Sequence, residues 1–167
     1  MGHMSVASRR PSPLDADHAA LIQGGVSVII ASRNAELVAD VVRGCGCRVS
    51  RDRRQVTVLV EPSRAGTLLD DVVANGMVAV VFSQPSTHRT IQLKGSDASI
   101  VKVTPADRAV AARHLAAWKD ELGSIGYARD LAGAVRGAAE RIAAIRFTPT
   151  AAYQQTPGPG AGQRLEP

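Results

Sequence analysis

Three short runs rich in β-branched residues constrain the fold more than any other feature of this sequence. They are VSVIIAS at residues 26–32, QVTVLVE at 55–61 and MVAVVFS at 77–83. Runs of this length, bounded by turn-forming residues, are typical of strands with at least one buried face. They are also far shorter than the roughly 18 apolar residues that a membrane-spanning helix requires. The sequence therefore predicts a β-rich protein with no membrane span, and without a secretory segment we expect it in the cytoplasm.

Two other segments carry helix boundaries. In the first, Ser63 is a candidate N-cap, and Asn75-Gly76 is typical of a left-handed helix end. In the second, the Thr-Pro-Ala-Asp sequence at 104–107 supplies a cap, a proline at the first helical position and an acid in the first turn. This helix is expected to continue to about Leu122. A weaker, alanine-rich helix is predicted over residues 132–144, because its glycines each cost about 1 kcal/mol.

The remaining segments predict the fold class. Residues 89–103 are predicted as one long strand paired antiparallel with residues 77–83, and residues 143–149 as a last strand, while residues 36–50 stay open between helix and strand. Strands joined by short turns, with helices inserted late, favour antiparallel pairing over a doubly wound parallel sheet. We therefore expect a mainly β protein of the α+β class, an antiparallel barrel with helical additions.

Length and composition indicate one domain. The chain has 167 residues, of which 45% are hydrophobic, enough for a single core. Residues 1–20 are predicted as a flexible arm, because residues 4–18 are polar and without a period; its first three residues resemble an expression-tag remnant. Residues 21–150 are expected to form the domain. Residues 151–167 form a Pro/Gly-rich tail, predicted to be irregular from Gln155 onward.

The positive charge of the chain is not organised as in a nucleic-acid-binding protein. The formal net charge is +5, but aromatic residues make up only 3% and leave little stacking surface for bases. The densest basic group brackets an expected hairpin turn and comprises Arg48, Arg51, Arg53 and Arg54. A solvated basic turn is the favoured interpretation, with an anionic small ligand or nucleic acid as the alternatives. Nucleic acid is the least expected partner.

Cysteines and histidines show no metal-ligand spacing. Cys45 and Cys47 have no second pair elsewhere, and strand alternation predicts that both thiols point to one side as small buried residues. His114 is interpreted as a packed or edge histidine rather than a ligand. The glycine signatures of dinucleotide-binding folds and of P-loops are also absent from the sequence.

The stretch FSQPSTHRTIQLKG, residues 82–95, concentrates hydrogen-bond donors between two apolar runs. Ser86, Thr87, His88 and Arg89 lie in one short connection. Two interpretations stay open: a hairpin turn with a solvated arginine, or convergent donors for a polar ligand. His88 is the best titratable candidate because its ordinary pKa lies near neutrality.

The run from QVTVLVE through EPSRAGTLLDDVVANGMVAVVFSQPSTHRTIQLKG resembles the pyridoxamine 5'-phosphate oxidase family and its FMN-binding split-barrel relatives. The similarity covers roughly residues 25–103. It implies a split antiparallel β-barrel and a homodimer with two equivalent flavin sites between the subunits. The implied cofactor is FMN, and haem or a deazaflavin are the alternatives.

The resemblance also implies site residues. Ser63 and Arg64 match the Ser-Arg pair that holds the FMN phosphate, although Ala65 replaces the lysine expected next. A helix N-terminus at Ser63 would further favour an anion. Arg43 and Arg48 have the spacing of the family's basic pair on the preceding strand.

The family's Arg-Gln pair corresponds to Arg89 and Thr90, so Thr90 replaces the flavin-facing glutamine, with Gln92 nearby. Ser86, Thr87 and His88 would supply further donors. The family's C-terminal substrate-binding arrangement is not found. We hypothesise that residues 155–162 fold over the cofactor.

These residues predict an FMN-dependent oxidoreductase that acts on an unknown small molecule. The alternative is a non-enzymatic flavin- or haem-binding protein for storage, delivery or sensing. In either case most of the chemistry would belong to the cofactor.

Overall fold

The computed structural model describes residue 12, residues 14–131 and residues 141–166. Three helices and nine strands lie within these ranges. The helices are α1 (Ala16–Ile22), α2 (Leu68–Asn75) and α3 (Pro105–Ser124). The strands are β1 (Ser27–Arg33), β2 (Ala39–Val49), β3 (Val56–Val60), β4 (Val78–Ser83), β5 (Thr90–Gly95), β6 (Ser99–Val101), β7 (Ala143–Phe147), β8 (Ala151–Gln154) and β9 (Arg164–Leu165).

All nine strands belong to one sheet with the order β6-β7-β3-β2-β1-β4-β5-β8-β9. Every described strand pair is antiparallel, which confirms the predicted α+β class. The order is linear, with β6 and β9 at the two edges, so the structure does not show closure of the predicted barrel.

One side of the sheet encloses the main apolar core. Burial alternates along β1 and β4, where every second residue is buried, as expected for strands with one face in a core. Strand β3 differs because all five of its residues are buried. The core draws on nearly every strand, and the largest side chains that the strands contribute are Phe82, Phe147, Ile30, Ile91, Leu93 and Ile145.

Helix α3 covers the other side of β3 and creates a second, smaller core. Val110 of the helix packs there with Cys45, Leu59 and Ala144. The predicted start of α3 is confirmed. The Thr104 hydroxyl oxygen accepts from the Asp107 amide, and the Asp107 carboxylate accepts from the Thr104 amide. His114 is buried, and its Nε2 lies 2.8 Å from the Val26 carbonyl oxygen, which confirms the prediction of a packed histidine.

A β-bulge in β2 corrects the prediction for the two cysteines. The pairing of β2 with β3 shifts between Gly44 and Gly46, which leaves Cys45 as the extra residue. Cys45 therefore points into the core under α3, whereas Cys47 points into the main core. Both thiols are buried as predicted, but they do not share a side of the strand. Burial raises the pKa of the Cys47 thiol well above its ordinary value.

The first predicted helix begins later than expected. Pro62–Arg64 form a 3-10 turn, and α2 starts only at Leu68, so Ser63 is not its N-cap. The predicted end is correct, because Gly76 follows the helix with a φ of 68° and donates its amide to Val72.

The predicted long strand at 89–103 is two strands. A turn at residues 96–98 separates β5 from β6, which pairs with β7 on the far side of the sheet. The Ala98 amide donates to the Gly76 carbonyl at 3.0 Å and holds this turn against the end of α2.

Both terminal segments contain elements that the sequence did not predict. Asp15 caps α1 by accepting from the His18 amide at 2.7 Å, and Leu14 and Ile22 are buried in the main core. The arm is therefore helical from residue 16, because capping and burial outweigh its polar composition. In the tail, the backbone amide of Gln154 donates to the Gln163 carbonyl at 2.8 Å. This bond closes a hairpin between β8 and β9.

The predicted helix at 132–144 falls mostly outside the described residues, and Ala143 and Ala144 begin β7. The division of the chain at residues 20 and 150 stays a prediction.

Candidate functional site

Three separated parts of the chain meet at a cavity beside the end of β3. The cavity has a volume of about 390 Å³ and is lined by Pro62, Ser63, Arg108, Arg141 and Ile142. We call it the Ser63 cavity. Ser63 comes from the 3-10 turn after β3, Arg108 from the first turns of α3, and Arg141 from the residues just before β7.

The charge of the Ser63 cavity is positive. Neither Arg108 nor Arg141 has a carboxylate within 4.0 Å among the described residues. None of the five lining residues is acidic, although the Ser63 hydroxyl donates to the Glu61 carboxylate beside the cavity at 3.1 Å. The two guanidinium groups form a donor set suited to a phosphate or carboxylate, and the Ser63 hydroxyl joins it only when its single proton leaves Glu61.

The local structure explains how this site forms despite the missing lysine. Ala65 ends the 3-10 turn and is 1% exposed, so a lysine at this position would have to bury its charge. Arg108 and Arg141 supply cations from other elements instead. Arg64 lies in the same turn as Ser63, and its side chain is exposed.

Arg48 is paired with a carboxylate in this structure, and its predicted part in cofactor binding stays a prediction. Its Nε donates to Asp107 Oδ1 at 2.5 Å, and the Asp107 side chain is fully buried. Burial alone would raise the pKa of Asp107, but hydrogen bonds from Arg48 and Thr104 outweigh it and hold this pKa below its ordinary value. Arg48 thus ties β2 to the start of α3.

Arg43 lies on the side of the sheet opposite the main core, in the part of that side where α3 forms no second core. We call this part the uncovered face; its central side chains are Ile29, Ala31, Ala79, Val81, Gln92, Lys94 and Tyr153. These side chains are half-exposed or exposed, and none belongs to either core. Arg43 Nη1 donates to Ser27 Oγ at 3.1 Å at one end of this face.

Strand register places two predicted site residues in one row. Arg43 pairs with Ile29, Ile29 with Val81, and Val81 with Gln92, so three strand spacings, roughly 14 Å, separate Arg43 from Gln92. The row continues through Tyr153 to Arg164 of β9. Sequence reasoning missed these last two residues because it treated the tail from Gln155 as irregular and left Tyr153 unassigned.

The donor-rich stretch forms the β4–β5 hairpin turn. Most of its hydrogen-bond donors are bonded to acceptors within the protein itself. The Ser86 amide and hydroxyl both donate to the Glu121 carboxylate of α3, the amide at 3.0 Å. Arg89 Nη2 lies 2.6 Å from Asp17 Oδ2 of α1. Thr87 donates to the Gln84 side chain at 2.9 Å.

His88 and Thr90 complete the turn. His88 adopts a left-handed conformation with a φ of 59° and donates its amide to the Gln84 carbonyl. Its side chain is exposed. Thr90 Oγ1 lies 2.7 Å from Ser83 Oγ, and its amide donates to Thr156 Oγ1 at 3.0 Å. The contacts of this stretch therefore support the hairpin interpretation.

The predicted site residues thus fall into four places: the 3-10 turn at the Ser63 cavity, the uncovered face, the β4–β5 turn and the contact of Arg48 with Asp107. Arg108 and Arg141 were missed by sequence reasoning. Arg108 follows the capping residue Asp107 and Arg141 precedes a strand, so neither position carries a local signal for ligand binding. Only the packing of α3 and β7 beside β3 reveals them.

The described residues contain no group of three or more His, Cys, Asp or Glu side chains placed to hold a metal ion. Within the same residues no helix combines the length and apolar character needed to cross a bilayer. A cytoplasmic location stays a prediction.

Comparison with known proteins gives a fold but no close relative. No family model and no curated protein sequence matches the chain. Among solved structures, HupZ from Group A Streptococcus matches 89% of this chain and 99% of its own, with a TM-score of 0.55 and 13% identity.

Two further structures show the same relationship. A protein from Lactobacillus delbrueckii that is named as a candidate pyridoxamine 5'-phosphate oxidase matches 84% of this chain and 93% of its own, with a TM-score of 0.52 and 13% identity. An F420 reductase matches 83% of this chain and 98% of its own, with a TM-score of 0.52 and 13% identity.

The chain therefore has the fold of the pyridoxamine 5'-phosphate oxidase-like proteins, as the sequence resemblance predicted. At these identities the likeness concerns the fold alone.

Proposed function

We propose that this protein binds FMN with the phosphate in the Ser63 cavity. One observation carries the proposal: Ser63, Arg108 and Arg141 line one cavity, and neither arginine has a carboxylate partner among the described residues. The fold supports it, because a structural neighbour is assigned as a pyridoxamine 5'-phosphate oxidase. The donor set fits a phosphate dianion, which needs several convergent donors and cations.

Each residue has a distinct role in this proposal. Arg108 and Arg141 neutralise the phosphate and donate to its oxygens in the planar, forked geometry of guanidinium groups. Ser63 turns its hydroxyl proton from Glu61 to the phosphate, and Arg64 adds positive charge from the same turn. A bound flavin would supply electron or hydride transfer, while the chain binds and orients it.

We propose further that the protein is an oxidoreductase acting on a small molecule. The redox activity named for its structural neighbours supports this class. The likeness to an F420 reductase favours a deazaflavin as the second candidate cofactor, since such a cofactor also carries a phosphate that the Ser63 cavity suits. Carriage or sensing of a flavin or haem without turnover is the alternative.

We also propose a homodimer in which a second copy packs on the apolar centre of the uncovered face, around Ile29 and Val81, and leaves the Lys94 end of that face open. Ile29 and Val81 are half-exposed at the centre of this face, and Val41 beside them is 59% exposed. Exposed apolar surface of this kind commonly marks an interface, and two-fold dimers are the most frequent oligomers. Light scattering should give twice the chain mass of 17.5 kDa; the mass of one chain would contradict the dimer.

The deciding experiment is the visible absorption spectrum of the purified protein before and after addition of FMN, with excess removed by gel filtration. The wild type should retain one FMN per chain. Arg108→Met and Arg141→Met should each weaken FMN binding at least about tenfold, because each removes a charged hydrogen bond. Arg113→Met, on the same helix but outside the cavity, is the matched control and should bind FMN as the wild type does.

Other outcomes separate the alternatives. If the protein retains the deazaflavin F420 but not FMN, the cofactor is a deazaflavin. A Soret band in the absorption spectrum would favour haem. Wild-type FMN affinity in both arginine variants would reject the Ser63 cavity as the phosphate site. Oxidation of reduced nicotinamide by the FMN-loaded protein would distinguish an enzyme from a carrier.

A further inference from the structure

A second cavity opens on the uncovered face, where β1 and β5 end and β4 begins. Its volume is about 380 Å³, within the range of small-molecule sites. We call it the Lys94 cavity. It shares no lining residue with the Ser63 cavity, which lies between the end of β3, the start of α3 and the residues before β7. An inference about it therefore does not depend on the proposed cofactor.

Two cations line the Lys94 cavity without a carboxylate. Arg33 is half-buried, and its Nη1 donates to the Asn34 carbonyl at 3.2 Å, which leaves other guanidinium hydrogens available. Lys94 Nζ lies 5.0 Å from the centre of the Tyr153 ring, a cation–π distance. No lining residue is acidic, and neither cation has a carboxylate within 4.0 Å among the described residues.

The rest of the Lys94 cavity is mostly apolar. Its walls include the small side chains of Ala31, Ala79 and Ala151 and the flexible side chain of Met77. Thr150 lies at its edge, and both its amide and its hydroxyl donate to the Lys94 carbonyl, at 2.9 and 3.2 Å. This bonding fixes the strand that carries Lys94 against the start of β8.

The combination of an apolar wall and two cations that line the same cavity selects a particular ligand chemistry. Arginine binds a carboxylate through two parallel hydrogen bonds, and the lysine adds a second positive charge. The alanine and methionine walls would contact an apolar body, with methionine adapting to its shape. We propose that the Lys94 cavity binds a small carboxylate with an apolar body, held by Arg33 and Lys94.

The proposal is tested by nuclear magnetic resonance of the isotopically labelled full chain with three probes. Benzoate and hexanoate carry the carboxylate on an aromatic and an aliphatic body, and benzamide is the neutral match of benzoate. Both carboxylates should shift the backbone amide signals of Ala79, Gly95 and Ser96 in a saturable manner, and benzamide should bind at least about tenfold more weakly.

Matched variants locate the site. Arg33→Met and Lys94→Met should each weaken binding of both carboxylates at least about tenfold. Arg146→Met and Lys102→Met, which remove exposed cations outside the cavity, should leave it unchanged. Light scattering on all four variants identifies any effect that arises from a change in oligomeric state.

Several results would overturn the proposal: no saturable shifts with either carboxylate, equal binding of benzamide, or undiminished binding in the Arg33 and Lys94 variants. Loss of binding that follows a change in oligomeric state would assign the two cations to an interface instead. The titration is repeated with FMN present. Carboxylate affinity should be the same with and without FMN, and it should also be the same if the protein does not bind FMN, because the two cavities share no lining residue.

Discussion

Arg48 of β2 donates to the buried carboxylate of Asp107 in the first turn of α3, with 2.5 Å between Nε and Oδ1. The other carboxylate oxygen, Oδ2, accepts from the Thr104 amide and hydroxyl, both at 2.8 Å. Asp107 therefore serves the helix cap with one oxygen and the sheet with the other. This pair holds α3 against β2 and β3, where it closes the second core and positions Arg108 in the Ser63 cavity.

We expect Arg48→Met to lower the free energy of unfolding by about 1–3 kcal/mol, because Oδ1 of a buried carboxylate loses its hydrogen-bond donor. FMN affinity, measured well below the melting temperature, should stay at the wild-type level. Chemical denaturation measures the first quantity and absorption titration the second. The control is Arg43→Met, because Arg43 is on the same strand but exposed. This substitution should lower the free energy of unfolding by less than about 0.5 kcal/mol. A variant that keeps its stability but loses FMN would restore Arg48 as a cofactor ligand.

The lowered pKa of Asp107 predicts a pH dependence of stability. Its folded pKa lies below the unfolded value of about 3.9, so its contribution is present above that value and is lost as the pH falls through the folded pKa. The stability difference between the wild type and Asp107→Asn should be largest above about pH 5 and shrink below about pH 4. Denaturation curves at several pH values measure this difference. A difference that is independent of pH would contradict the assignment.

His88 is predicted to act through its backbone. Because its φ of 59° is unfavourable for residues with a Cβ, His88→Gly should keep or raise the free energy of unfolding by up to about 1 kcal/mol. His88→Val should lower it by about 1 kcal/mol or more, since a β-branched residue suits this conformation worst. FMN affinity should be unchanged in both variants. Loss of FMN in the glycine variant at unchanged stability would show that the imidazole binds the cofactor.

Gly25 is predicted to be essential for the packing of α3 near the start of β1. A Cβ at this position would lie 2.4 Å from the Ala117 carbonyl oxygen and 2.7 Å from its carbon, and backbone atoms cannot move aside without moving the helix. Gly25→Ala should therefore cost about 1–3 kcal/mol or more.

Gly123→Ala is the matched control, because its Cβ would meet nothing within 4 Å and alanine favours a helix by up to about 1 kcal/mol. Thermal unfolding compares the two variants. Equal melting temperatures would mean that α3 does not approach Gly25 as closely as described.

The fold was predictable where the signal was local. The strands β1 and β4, predicted from short β-branched runs, and the capping residues of α3 depend on neighbours a few positions apart, and the structure confirms them. The prediction failed at Cys45, where a bulge inserts one residue, and at Ser63, where a 3-10 turn precedes α2. The first depends on pairing with β3, and the second on how the chain leaves that strand.

The candidate site was predictable only in part. The sequence indicated Ser63, which lines the cavity, and the resemblance indicated an anion there. It also indicated Arg48 and the turn donors Ser86 and Arg89, but the structure pairs these with Asp107, Glu121 and Asp17. Such partners lie far away in the sequence, so no spacing rule could identify them.

The sequence by itself determined an antiparallel β-rich domain with a capped helix after its central strands, because hydrophobic alternation and capping act over a few residues. Tertiary structure alone decided which cations are available to a ligand. Packing of α3 against β2 paired Arg48 with Asp107, whereas Arg108 and Arg141 came together at one cavity without a carboxylate partner among the described residues. The physical reason is that a charge takes its role from the groups within a few ångströms of it, and the packing of distant segments selects those groups.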